Sequence, residues 1–203
     1  MCYLEKIEYE IVPIESLAVI RNCPGCGKKS YFTNTKRFRV NANGNRLDVW
    51  LIYQCEKCKH TYKLAIYERV KASSLPEKEY QRFLSNDEQL AEMYGRNYQL
   101  FRKNRAEIYL EAVNYQIKRV KVIPDGKNYQ YPAEIVIHNP CGLKIRPEKQ
   151  IAEVLSLSRS QVKKMMELGD ITVQTVSPQT VSVYAEFCKG KRNCLLQRPS
   201  LDD

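Results

Sequence analysis

The chain has 203 residues, eight cysteines and a formal charge of +10 at pH 7, with an isoelectric point of about 9.2. No stretch nears the ~20 consecutive apolar residues of a membrane span, and residues 1–22 lack the basic start and unbroken apolar run of an export signal, because Glu10 and Glu15 break up Ile11 to Ile20. The expectation is a cytoplasmic protein with no membrane anchor, one large domain or two small ones, with reduced cysteines free to bind metal and a charge that attracts polyanions.

From Tyr3 to Cys58 the pattern predicts mostly strand. Asn43-Gly44 supplies the positive φ angles of a tight hairpin turn, with Lys36 to Val40 arriving and Leu47 to Cys55 leaving. In the second arm Leu47, Val49, Leu51 and Tyr53 alternate with Asp48, Trp50, Ile52 and Gln54; the run is predominantly apolar, which predicts burial on much of both faces. Thr61 to Val70 reads as a further strand.

From about Ser74 the texture becomes helical. Leu75-Pro76-Glu77 puts proline near a helix start, and Ser85 with Glu88 forms a capping box opening a helix through about Tyr94. Short helices continue to about Asn114. The 14 tyrosines read as half-buried packing rather than as base-stacking groups.

Strands resume over Tyr115 to Ile123 and Glu134 to His138, separated by a loop around Asp125-Gly126. Pro147 opens a helix to about Leu155. Ser158 and Gln161 form a capping box for a second helix to Leu168, ended by Gly169, and Ile171 to Val173 returns to strand. Pro199 to Asp203 is expected to fray.

Cys23-Pro24-Gly25-Cys26-Gly27 has the residues of a metal knuckle: two thiolates bracket a tight turn, Pro24 presets φ and Gly27 permits a positive φ. Cys55-Glu56-Lys57-Cys58 supplies a second pair at the end of the hairpin arm. Closing the hairpin brings the pairs together, so Cys23, Cys26, Cys55 and Cys58 are expected to hold one structural Zn2+ ion in a tetrahedral shell with no open position. His60 lies close by and could replace a cysteine, but an exposed or otherwise satisfied histidine is the favoured reading. Cys188 and Cys194 form a weaker candidate pair, and Cys2 and Cys141 suggest no role.

Two segments carry the charge excess. Residues 28–46 hold Lys28, Lys29, Lys36, Arg37, Arg39 and Arg46 and no acid; residues 144–164 hold Lys144, Arg146, Lys149, Arg159, Lys163 and Lys164 against Glu148 and Glu153. In the two predicted helices of the second segment, Ile151, Val154 and Leu155 match Val162, Met165 and Met166, so the helices can pack together and leave their basic side chains outside. With Ser160 near a helix N-terminus, that surface suits phosphates.

The order Arg146-Pro147-Glu148-Lys149, then Ser158-Arg159-Ser160-Gln161-Val162-Lys163-Lys164, then Gly169-Asp170-Ile171-Thr172-Val173, resembles the RNA-binding domain named after ribosomal protein S-four. The resemblance implies an αα-hairpin over residues 144–176 in which Lys144, Arg146, Lys149, Arg159, Ser160, Lys163 and Lys164 face structured RNA. Across most of the chain, Cys23 to Gly27, Phe38 to Gly44 and Leu47 to Cys55 are similar to the bacterial domain-of-unknown-function family 1062, which implies a bacterial protein and supplies no activity.

These readings combine into an α+β class: a zinc-ribbon-like β domain over residues 1–72, a helical connecting segment over 73–113, and an S-four-like domain over 114–203. The expected function is a non-catalytic zinc-containing RNA-binding protein, with ribosomal or transfer RNA as partner. The alternatives are a DNA-binding regulator or a protein-interaction adaptor. Catalysis is not expected, because there is no glycine-rich phosphate loop, only two histidines and no cluster of acids. Asp48 beside Trp50 is the nearest candidate for it.

Overall fold

The computed structural model describes residues 5–111, 113–123, 133–177 and 179–185. Cys2, the Asp125-Gly126 loop, Cys188, Cys194 and the tail from Pro199 lie outside them. Ten strands, five α-helices and one 3-10 turn make up the described part, so the fold is mostly β. This overturns the expected α+β class with its S-four-like helical hairpin. The predicted helix pair does form, but as a short excursion between strands of a five-stranded sheet, and every helix is six to nine residues long. Helices of that length are unstable alone and depend on packing against other elements. None among the described residues is long and apolar enough to cross a membrane.

The chain forms two compact units, Pro13–Tyr115 and the pair Met1–Val12 with Gln116–Asp203. The first is built on strands β2 (Ala18–Cys23), β3 (Lys28–Asn43), β4 (Arg46–Cys55), β5 (Thr61–Lys71) and β6 (Glu107–Tyr109), after β1 (Glu5–Pro13), which belongs to the other sheet. The order is β5-β4-β3-β2-β6, antiparallel throughout. Helices α1 (Glu77–Leu84), α2 (Glu88–Arg96) and α3 (Tyr98–Lys103) pack on this sheet. Leu47, Val49, Leu51, Tyr53 and Cys55 are buried, with Tyr53 edge-on to Phe101 and Phe38 edge-on to Phe83. Asp48, Trp50, Ile52 and Gln54 point the other way and remain half-exposed. Only one face of β4 is therefore sealed, where burial on both was expected.

The β3–β4 turn sits one residue later than predicted. Asn43 pairs with Arg46, which leaves Gly44-Asn45 as the loop, and Gly44 alone takes positive φ, +59°. A two-residue hairpin loop with glycine first fits the right-handed twist of the strands. At α2 the cap differs as well. Asn86 reverses the chain at φ 52°, so Ser85 ends α1 and Asp87 begins α2, accepting from Leu90 N at 2.8 Å. Arg82 clamps Asp87 at 3.0 and 3.1 Å and holds its carboxyl below the usual range.

Within β3, Thr35 and Lys36 form a two-residue bulge between the pairs Asn34–Tyr53 and Arg37–Ile52. Two extra residues preserve the alternation, so Arg37 and Arg39 lie on the same side as Thr33. Asn34 anchors the bulge: its amide donates to Ser16 Oγ and Ala91 O, and its carbonyl accepts from Lys36 N.

The second unit's sheet runs β7-β1-β8-β10-β9, comprising β7 (Tyr115–Ile123), β8 (Ala133–His138), β9 (Ile171–Ser177) and β10 (Thr180–Ala185) with β1. Strand β1 pairs parallel with β8, while β10 is antiparallel to both β8 and β9. Helices α4 (Pro147–Leu155) and α5 (Arg159–Glu167) connect β8 to β9. Proline at the start of α4, the Ser158–Gln161 capping box of α5 and Gly169 at φ +78° after it match the sequence expectation.

Gly95 in α2 tests the bulge anchor. Alanine improves helix propensity by about 1 kcal/mol, but a Cβ there would meet Ser16 Oγ at 2.3 Å and Asn34 Nδ2 at 2.7 Å. Overpacking costs about 1–3 kcal/mol, and the collision also displaces two hydrogen bonds. Gly95→Ala is expected to lower the urea midpoint of unfolding, and an unchanged or raised midpoint would show that the anchor yields freely.

Candidate functional site

The two cysteine pairs leave the sheet at adjacent strand ends. Cys23 closes β2, Cys55 closes β4, and β3 between them joins both, pairing Lys28 with Cys23 and Phe32 with Cys55. The loops that follow repeat one conformation. Gly27 N donates to Cys23 O at 2.9 Å with Gly27 at φ +67°; Lys59 N donates to Cys55 O at 3.1 Å with Lys59 at φ +62°. The second left-handed position is a lysine, so the sequence signal that marks the first knuckle is missing from the second.

All four sulfur atoms lie within 4.8 Å of one another, with Cys23 to Cys58 at 3.3 Å and Cys26 to Cys55 at 3.8 Å. These separations are too long for a disulfide bond of about 2.05 Å. They bracket the sulfur–sulfur edge of about 3.8 Å that a tetrahedral shell with metal–sulfur bonds of about 2.3 Å requires. The donor set therefore fits one metal ion. Cys23 and Cys55 are buried, Cys26 is half-buried and Cys58 is exposed.

Amide groups and burial act on the sulfurs in opposite senses. The N–H groups of Cys58 and Lys57 aim at Cys55 Sγ and hold that thiol down at about 6, against burial, which acts in the opposite sense. At Cys23 burial prevails and the thiol is raised, although the amides of Cys26 and Gly25 aim at it. His60 is exposed and not part of the converging set; its carbonyl accepts from Cys55 N. Asp48, the nearest catalytic candidate of the sequence, accepts from Arg69 N at 2.8 Å. Cys141 is buried away from the cluster, and burial lifts its thiol to about 11.

The basic side chains divide into engaged and free. In the first unit Lys29 pairs with Glu107, Lys36 reaches both Glu88 and Glu92, and Arg46 donates to Arg69 O. Arg37 and Arg39 are exposed and have no ion pair among the described residues. In the second unit Lys144, Arg146, Lys149, Arg159, Ser160, Lys163 and Lys164 are all exposed. Lys149 has Glu153 at 3.8 Å, whereas no ion pair among the described residues involves Lys144, Arg146, Arg159, Lys163 or Lys164.

The packing that presents them is local. Ile151, Leu155 and Val162 are buried between α4 and α5, with Val154, Met165 and Met166 half-buried beside them. Asn139 fixes the loop carrying Lys144: its amide donates to Leu143 O and its carbonyl accepts from Leu143 N. Ser158 and Gln161 cap α5 reciprocally, and Ser158 Oγ lies 3.1 Å from Ser160 Oγ.

A close approach invisible in the sequence lies beside the four sulfurs. A Cβ at Gly25 would lie 2.8 Å from Cys58 Sγ, whereas one at Gly27 would meet nothing within 4 Å. Gly25→Ala is expected to weaken metal binding by about 10–100-fold, measured by chelator competition. Gly27→Ala, which adds backbone strain without touching a sulfur, is the control, and equal affinity of Gly25→Ala and the native chain would refute the contact's importance.

No curated protein and no solved structure matches this chain. The model of one family, described as "Protein of unknown function (DUF1062)", matches residues 40–177, more than half the chain and including Cys55, Cys58 and the whole helical pair. The chain therefore belongs to the DUF1062 family.

Proposed function

We propose that the protein is a non-catalytic RNA-binding protein of the cytoplasm whose four cysteines hold one structural zinc ion. Zinc is the divalent metal that four thiolates in a closed tetrahedral shell suit best, having no redox chemistry and no need of other geometry. Bound there, it would tie the ends of β2 and β4 together and leave no coordination position for a substrate.

The observation that carries the RNA reading is the set of exposed cations on the helical pair. Arg159 and Lys163 are one turn apart on α5, Lys164 flanks them, and none of the three forms an ion pair among the described residues. Cations already paired on the surface must give up a carboxylate before they meet a phosphate; these need not. Lys144 and Arg146 extend the positive surface into the preceding loop, while Lys149 shares its charge with Glu153. Structured RNA, ribosomal or transfer, presents phosphates at the spacing such a surface can follow.

Two measurements test this. Elemental analysis of freshly purified protein should find one zinc per chain, and a substoichiometric or different metal refutes that assignment. Arg159→Glu with Lys163→Glu should weaken retention of folded RNA and reduce the slope of log affinity against log salt by about 2, the change expected from two lost phosphate contacts. Unchanged retention and slope in a folded double variant, or stronger competition by duplex DNA than by folded RNA at fixed salt, would defeat the RNA reading.

A further inference from the structure

The face of the first unit's sheet opposite its helices carries an arrangement that packing leaves unexplained. On it Arg39 is the direct cross-strand neighbour of Trp50, Arg37 of Ile52, and Ile52 in turn of Lys63. Trp50 and Ile52 are only half-buried, and Arg37, Arg39 and Lys63 are exposed. Lys63 Nζ sits 5.2 Å from the centre of the Trp50 ring. Beside this row, the β3 bulge opens a cavity of about 540 Å3 lined by Thr33, Thr35, Arg37, Ile52, Gln54 and Lys59 among others.

A tryptophan left half-exposed in a strand loses apolar burial that a different residue order would have secured. Here four cations surround it or the adjoining cavity, and none of Arg37, Arg39, Lys59 and Lys63 has an ion pair among the described residues. The nearest acid on β4, Asp48, is occupied by the Arg69 amide. An indole platform with unpaired cations on both flanks complements a ligand that is flat and apolar in one part and anionic in another. Single-stranded nucleic acid repeats that combination at every residue.

We infer that this sheet face binds single-stranded RNA: one base stacks on Trp50, its neighbour enters the cavity over Ile52, and the phosphates meet Arg37, Arg39, Lys59 and Lys63. Thr33, Thr35 and Gln54 supply hydrogen-bonding groups for a base edge or a 2′-hydroxyl. An exposed cation–π contact is weaker than a base stack, so Lys63 yields the ring and turns to phosphate. Arginine on β3 and lysine on β5 bracket the indole from both neighbouring strands, which sets the strand of RNA across β3, β4 and β5. This inference rests on the RNA-binding reading and adds to it a second, structurally separate surface and the single-stranded class of substrate.

Trp50 is the only tryptophan in the chain, so its fluorescence reports on this face alone. The full chain is titrated at fixed low salt with a short oligouridylate bearing a long-wavelength label, and Trp50 emission and label anisotropy are read in the same sample. Saturable quenching with the midpoint of the anisotropy curve is expected. Trp50→Ala should weaken binding about 5- to 150-fold and Trp50→Phe far less. Arg37→Glu with Arg39→Glu, which keeps the indole, should weaken binding and lower the salt slope by about 1.4. If Trp50→Ala fails to fold, the phenylalanine variant and the double charge reversal decide. Label retention without quenching, abolished by the Arg159 and Lys163 reversals, overturns the sheet-face site and leaves RNA binding by the helices intact. Retention of neither the oligomer nor folded RNA overturns both readings. Equal quenching by polyglutamate marks the face as a general polyanion or protein contact and overturns it too.

Discussion

Four sulfurs drawn within 4.8 Å at one end of a sheet form the constraint on which the first unit depends. Thiols at that distance offer one another little attraction: amide groups hold Cys55 toward the thiolate, while burial holds Cys23 toward the neutral thiol. A metal ion would take all four as thiolates and bind them strongly. Apparent binding energies for structural zinc in small thiolate sites are of order 10–16 kcal/mol, comparable to the whole stability of a typical domain. A single ion can therefore fix the ends of β2 and β4, and with them the register of β3 between them. The bulge at Thr35 and Lys36 lies only a few residues along β3 from Phe32, the partner of Cys55, so the open face is aligned from the metal end.

The two faces of the sheet differ in burial, and alternation makes the division possible. On one face Phe38, Tyr53, Phe83, Tyr94 and Phe101 interlock, and the hydroxyls of Tyr67 and Tyr94 both donate to Glu79. Those tyrosines belong to the core, as their abundance in the sequence suggested. Trp50, by contrast, is left half-open on the other face. A one-residue bulge would have rotated Arg37 and Arg39 into the core; the two-residue bulge keeps them outside while Asn34, tied to Ser16 and Ala91, holds the insertion in place.

Residues whose role is set within a few positions were legible in the sequence, and those whose role is set by a distant partner were not. Cys23, Cys26, Cys55 and Cys58 could be read because knuckle chemistry is local and one hairpin suffices to join the pairs. Pro147, the Ser158–Gln161 box and Gly169 are likewise local. The strand character of β1 was legible but its pairing was not, because its parallel partner β8 begins at Ala133, far along the chain, and the pattern of β1 says nothing of that partner. The class differs from the expected one for the same reason: the helical motif is local, whereas the pairing of the strands on either side of it, which makes the second unit mostly β, is not. At α2, Ser85 and Glu88 satisfied the spacing rule, but Arg82 reaches Asp87 and makes it the better cap. Trp50 and Ile52 read as buried because they are apolar; what packs over a strand is a tertiary fact.

Charge distribution separates the two basic surfaces from the basicity around them. Of the six cations in residues 28–46, Lys29 and Lys36 neutralise acids of β6 and α2, and Arg46 donates to a carbonyl at the far end of the hairpin. These contacts serve the fold, and the raised pKa of Lys36, caused by Glu92 and Glu88, reflects that engagement. Lys28, Arg37 and Arg39 remain, and of these Arg37 and Arg39 lie with Lys63 around the one indole. On the helical pair, Arg159, Lys163 and Lys164 remain while Lys149 is partly engaged. Exposed ion pairs contribute little to stability, so leaving these side chains unpaired sacrifices little in the fold, yet each one preserves a full charge for an outside anion. Two of the places where unpaired cations gather thus differ in what lies beside them, an indole on the sheet face and a capped helix N-terminus on α5, and it is the chemistry beside the charge, more than the charge itself, that distinguishes them.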